Sequence, residues 1–166
     1  MHTQNITIEN KVCFGSFGIV YRISEDRIVK LFKKELTTYD ENILEFEIQG
    51  DSYNAGISAP RPHRIIEGSE CKNLIANIKN PYKNMLKPVA IEMEFIDGDL
   101  RKTWGKKHRK RYNELSEKVE EEARKAMTQG FLPGFDYNFS ENSIYIPKED
   151  RVVLIDFGLW KRIEKR

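Results

Sequence analysis

Several short stretches of this chain carry side chains suited to holding a phosphate and a hard cation. Gly15-Ser16-Phe17-Gly18 lies between two runs of β-branched and aromatic residues. Glycines at such a turn let backbone N–H groups approach phosphate oxygens with no Cβ in the way; the same residues also suit a plain hairpin turn. Lys30 falls inside the apolar run RIVKLF, where an ammonium group must reach an outer face or find a partner. Glu45 and Glu47 are both available on the following segment, and Glu45 shares a helical face with Ile48 and Ser52. Asp136 and Asn142 sit in LPGFDYNFSENSIYI, and Asp156 ends the run RVVLID. Carboxylate and amide oxygens grouped at strand ends are the ligand type of magnesium, which also binds nucleotide phosphates. Taken singly, each has an ordinary alternative: a solvated lysine, a turn former at Asp136, a cap at Asn142.

The elements that must position these residues follow from periodicity. NITIENKVCF, IVYRIS and DRIVKLFKK, divided by GSFG and SEDR, predict an antiparallel meander. From Asp40 to Ala55 the pattern becomes helical, with Ile43, Leu44, Ile48 and Ser52 on one face, Asp40 as N-cap and Gly56 after the end. ISAPRP breaks regular structure, because proline holds the preceding residue in extended geometry. HRII and VAIEMEFI read as strands separated by an exposed excursion rich in Asn and Lys, and Asp97-Gly98-Asp99 reads as a junction. Leu115, Val119, Ala123 and Ala126 or Met127 predict a helix over about 111–129, roughly 28 Å long at 1.5 Å per residue, stopped by Gly130. SIYI and RVVLI are two short strands joined by PKED.

Composition sets the outer limits. With 166 residues, 39% hydrophobic and 33% charged, the chain suits one folded domain with a real core. Two cysteines, Cys13 and Cys71, suggest neither a disulfide framework nor a zinc site, so a reducing compartment is expected. The opening MHTQNITIEN lacks a basic-then-apolar signal, and no apolar run approaches a membrane span. The expectation is cytoplasmic, with secretion into a host-cell cytoplasm left open. Net charge is only +2, yet RKTWGKKHRKR at 101–111 holds seven Lys or Arg and no acid. A solvated surface is the plain explanation, and a docking patch for an acidic partner the sharper one. No nucleic-acid partner is expected.

The order of these features resembles a protein kinase: a Gly loop, a strand Lys, a helix Glu, a junction, a long helix, then Asp, Asn and Asp156-Phe157-Gly158. The resemblance runs from Cys13 to Gly158, and the Asp-Phe-Gly after VVLI is its most specific element. It implies an α+β, two-lobed protein kinase-like fold, with an antiparallel N-lobe sheet plus helix C and a truncated, mainly helical C-lobe. As one minimal domain, 1–166 would have its N-lobe at about 1–96, a hinge at about 94–99 and its C-lobe at about 100–166. ATP and Mg²⁺ are the implied cofactors. Gly15, Ser16, Gly18, Val20, Lys30 and the backbones of Glu94 and Ile96 would bind nucleotide, with Met93 as gatekeeper. Lys30 would hold the α and β phosphates, paired with Glu45 or, second, Glu47. Asp136 would position or deprotonate the accepting hydroxyl, and Asn142 and Asp156 would hold the metal.

This chain departs from the pattern at several places. Cys13 stands where the first loop glycine would be, and Gly134-Phe135 replaces the His-Arg that precedes the catalytic aspartate. Five residues, in place of four, separate Asp136 from Asn142, and Asn138 stands where many Ser/Thr kinases have a lysine. The sequence ends soon after Gly158, which leaves no span for a full activation segment. In that respect it resembles the minimal effector Ser/Thr kinases of bacterial pathogens, of the OspG type, some of which depend on a host partner such as a ubiquitin-charged conjugating enzyme. The expectation is a Ser/Thr protein kinase with a protein substrate and an activating host protein. The alternatives are a pseudokinase acting as a regulatory module and a small-molecule kinase of the aminoglycoside-phosphotransferase kind.

Overall fold

A computed structural model describes residues 10–14, 17–79, 81–135, 137–139 and 141–163. Their strands and helices fall into two units. One contains the described residues up to Phe46 together with Pro62–Phe95, and the other contains Glu47–Arg61 and the described residues from Ile96 onward.

In the first unit, β1 (Asn10–Phe14), β2 (Gly18–Arg22) and β3 (Arg27–Lys33) form the expected meander. Helix α1 (Tyr39–Asn54) follows, then β4 (Pro62–Glu67), α2 (Gly68–Ala76) and β5 (Leu86–Glu94). The strands make one antiparallel sheet in the order β1-β2-β3-β5-β4. Both faces of this sheet are covered, so β3 and β5 bury consecutive residues, Val29–Phe32 and Val89–Met93. Val29, Leu31 and Ala90 face a core that includes Ile66, Cys71 and Leu74, while Phe32, Val89, Ile91 and Met93 form a second core joined by Phe46. Strict alternation therefore sends Lys30 to the same side as Phe32.

Three sequence expectations are corrected here. The excursion before β5 is not all exposed loop. It contains α2, whose Cys71 and Leu74 are buried against the sheet, and burial pushes the Cys71 thiol up to about 12. The N-cap of α1 is Thr38 and not Asp40: Glu41 N–H donates to Thr38 Oγ1 at 3.2 Å, and Thr38 N–H donates back to Glu41 Oε2 at 2.6 Å. This reciprocal capping box satisfies two donors where Asp40 would satisfy one. Leu44, expected on the inner face of α1, is 46% exposed. The buried positions of that helix are mostly polar: Asn42, Glu45, Gln49 and Ser52 accompany Ile48.

The second unit begins with the rear half of α1, which ends at Gly56 with a positive φ of 77°. Ser58 then fastens the segment after the helix: its N–H donates to Glu122, its Oγ–H donates to Val152 O at 2.6 Å, and its carbonyl accepts from Leu154 N–H at 2.8 Å. The remaining elements are β6 (Asp99–Leu100), α3 (Trp104–Lys107), α4 (Tyr112–Thr128), β7 (Phe131–Pro133), β8 (Ser143–Ile146), β9 (Arg151–Leu154) and β10 (Trp160–Arg162). Leu115, Val119, Ala123 and Ala126 make the buried stripe of α4, and Met127 stays exposed. That stripe packs into a core with Trp104, Phe131, Tyr145, Leu154, Phe157 and Trp160. β6, β8 and β9 form one small sheet, and β7 and β10 form another. The fold is thus mixed α and β with an antiparallel five-stranded sheet. Among the described residues no helix is long and apolar enough to cross a membrane.

Candidate functional site

Lys30 and Glu45 are the most closely engaged of the expected residues in the first unit. Lys30 Nζ lies 2.5 Å from Glu45 Oε1, and the two residues are only 7% and 4% exposed. Glu47, the second candidate, is on the solvent side of α1. The ammonium also lies 5.4 Å from the centre of the Phe32 ring. Cross-strand register puts Val20 and Ile91 directly beside Lys30 on either side, so these three share one face of the sheet. Gly18 opens β2 opposite Phe32, and a Cβ there would come within 2.5 Å of Leu31 O. Close strand approach is therefore enough to require a glycine at this position. Met93 is buried, and Glu94 at the end of β5 pairs in register with Arg27. Gly15 and Ser16 lie outside the described residues.

In the second unit, antiparallel pairing brings Asn142 and Asp156 to neighbouring strand ends. Ser143 faces Leu154, and Ile155 N–H donates to Asn142 O at 3.0 Å. Asn142 therefore closes β8 where Asp156 leaves β9. Tyr137 O–H donates to Ile155 O at 2.7 Å and fixes the peptide just before Asp156; burial pushes this phenol's pKa upward. Asp156 itself has φ 62° and ψ 75°, a left-handed conformation that costs an ordinary residue about 1–2 kcal/mol. Phe157 is fully buried, with its ring centre 5.1 Å from that of Trp160. A strained aspartate held between two anchored neighbours is the pattern of a residue whose direction matters more than its comfort.

The donor chemistry of Asn142 and Asp156, one amide oxygen and one carboxylate, fits magnesium. This ion binds through one or two carboxylates and completes its shell with waters and phosphate oxygens. No group of three or more His, Cys, Asp or Glu suited to a metal occurs among the described residues. Asp136 lies outside the described residues. Ile96 is buried with Ile146 and Val153 in a small cluster of this unit.

Two contributors escaped sequence reasoning. Gly134 N–H donates to Leu159 O at 2.6 Å, and a Cβ at this position would meet that same oxygen at 2.4 Å. No side chain fits at this position as the backbone stands. Tyr137 was overlooked because its anchoring contact is eighteen positions away, and only its aromatic type hinted at burial.

No family model matches the chain, and no curated protein matches it. Among solved structures, the crystal structure of WbdD matches with a TM-score of 0.59 and 16% identity, over 94% of this chain and 33% of that one. The chain thus spans about a third of the WbdD chain. At this identity the likeness is one of fold. It also corrects the family expectation: the similar structure, WbdD, is not a typical protein kinase.

Proposed function

We propose that this chain is an ATP-dependent phosphotransferase, a serine/threonine protein kinase in reaction type, organised as one two-lobed domain with a hinge near 94–99. The observation that carries the proposal is the buried Lys30–Glu45 pair at 2.5 Å on a sheet face that also presents Val20. A buried ion pair is a poor way to stabilise a fold, because apolar residues of similar size serve as well or better. Its use is to hold an ammonium in a fixed place, as binding the α and β phosphates of a nucleotide requires.

In this scheme Gly15, Ser16 and Gly18 approach the phosphates with backbone N–H groups, and Glu94 and Ile96 offer backbone groups to the adenine edge. Asn142 and Asp156 would hold Mg²⁺, which would supply charge neutralisation at the phosphates. Asp136 accepts the proton of the attacking hydroxyl as the terminal P–O bond of ATP breaks, leaving ADP and a phosphoester. The test is transfer from γ-labelled ATP to protein in a cell lysate, comparing the parent with Asp156→Ala and Lys30→Met. Loss of an electrostatic partner of this kind lowers rate by about 10²–10³; transfer that persists in either variant removes the assignment.

One observation favours a second reading, a nucleotide-binding module that does not transfer phosphate. The close contact between Gly134 and Leu159 O excludes any side chain at the position that carries His in active kinases of the pattern. Nucleotide binding without labelled product would select this alternative.

A further inference from the structure

The basic run at 101–111 is divided by its own fold into an inner and an outer face. Its inner members are all engaged. Arg101 donates to Ser116 Oγ at 3.2 Å, Trp104 is fully buried with its indole N–H on Asp99 O at 2.8 Å, and His108 Nε2 lies 2.8 Å from Asp99 Oδ2. Arg111 reaches Tyr145 Oη at 2.6 Å and Asp150 Oδ1 at 2.7 Å, and Lys107 pairs with Asp99. The run folds as three short turns, a 3-10 turn at Arg101–Thr103, an α turn at Trp104–Lys107 and a 3-10 turn at Arg109–Arg111, with His108 between the last two at φ −131° and ψ 35°. Lys102, Lys106, Arg109 and Lys110 are all exposed, and none forms an ion pair or hydrogen bond among the described residues.

We propose that Lys102, Lys106, Arg109 and Lys110 form a docking strip for a short acidic segment of a partner protein. Two observations set the kind of partner. Nine consecutive positions in short helical turns extend only about 14–18 Å, and α4 follows at once with exposed Glu117, Glu120 and Glu121. A long uniform polyanion, whether nucleic acid or an anionic bilayer, would meet those carboxylates as soon as it overran the strip. A peptide with a few clustered carboxylates would not. The overall charge of +2 also lacks the strong positive field of nucleic-acid binders. None of Lys102, Lys106, Arg109 and Lys110 is among the residues assigned to nucleotide, metal or proton transfer. Docking and nucleotide chemistry are therefore separable, and the inference does not depend on phosphoryl transfer.

The test uses the full chain and a fluorescein-labelled hexapeptide of alternating Glu and Asp, with fluorescence anisotropy as the readout. Binding is expected at low salt and should weaken as ionic strength rises past the point where the screening length is about 10 Å. The quadruple variant Lys102→Glu, Lys106→Glu, Arg109→Glu, Lys110→Glu should bind about tenfold more weakly, as expected for several exposed charge contacts. The corresponding quadruple Gln variant decides the matter if the reversed chain does not fold. A 20-nucleotide single-stranded DNA and phosphatidylserine vesicles, run beside the peptide, should bind no more tightly than it does. Absence of peptide binding, equal peptide binding by parent and variants, or tighter binding of either polyanion overturns the proposal.

Discussion

Replacing Glu45 by Leu would leave Lys30 without the carboxylate that lies 2.5 Å from its ammonium, in a setting where both side chains are less than a tenth exposed. At an effective dielectric of about 20, unit charges at that separation attract by roughly 7 kcal/mol before any desolvation is counted. Desolvating two ions consumes much of this, so the pair itself contributes little, but removing one member leaves a buried charge and costs about 3–5 kcal/mol. Replacing both, in Lys30→Met with Glu45→Leu, should restore stability to within about 1 kcal/mol of the parent or exceed it. Urea unfolding of the parent, both single variants and the double variant, followed by circular dichroism, gives the coupling energy directly. The argument also demands a dissociation between stability and function: the double variant folds well and binds no ATP. A Glu45→Leu cost below about 1 kcal/mol, or a double variant less stable than that single one, would refute the claim that the pair is retained for something other than the fold.

Three further perturbations probe other parts of the structure. Asp156→Gly should relieve the positive φ and raise stability by about 1 kcal/mol in thermal unfolding, while abolishing magnesium-dependent nucleotide binding; a stability loss would show that the turn is not strained. Gly134→Ala should lower stability by about 1–3 kcal/mol because its Cβ would overlap Leu159 O, and an unchanged melting temperature would contradict that contact. Hydrogen bonds from Lys107 and then His108 hold the Asp99 carboxyl below its ordinary pKa, so its stabilisation is present above about pH 4 and is lost as pH falls through the depressed value. Asp99→Asn should therefore melt lower than the parent at pH 7, with the gap closing on acidification; a constant gap would mean that the charge plays no part.

Strands β1–β5, β8 and β9 and the two long helices were legible because their apolar spacing is clean, and α4 buries the stripe at Leu115, Val119, Ala123 and Ala126 that periodicity marks; β6, β7 and β10, two or three residues each, are too short to show a period. Helix α1 was legible in extent but not in facing. Its buried side carries Asn42, Glu45, Gln49 and Ser52, so counting apolar residues points outward to Leu44. Helix α2 was missed although Cys71, Leu74 and Ile78 have helical spacing, because the surrounding Asn and Lys suggested a loop. Asn142 and Asp156 could be singled out by type, but their adjacency depends on the β8–β9 register. That register is set by the hairpin loop at 147–150, whose turn type the residues PKED suggest but do not fix. The family assignment failed for a related reason, since short motifs are shared among proteins whose chains otherwise differ.

The antiparallel pairing of β7 with β10 has a consequence for the turn at Asp156. That turn is fenced on both sides, by β9 before it and by a strand hydrogen-bonded through Trp160, Lys161 and Arg162 after it. A carboxylate mounted between two clamped strands has surrendered its freedom during folding, so a cation arriving there would meet little further entropic toll. Grafting a flexible insert between Phe157 and Trp160 would reintroduce that toll and weaken cation capture without altering a single liganding atom.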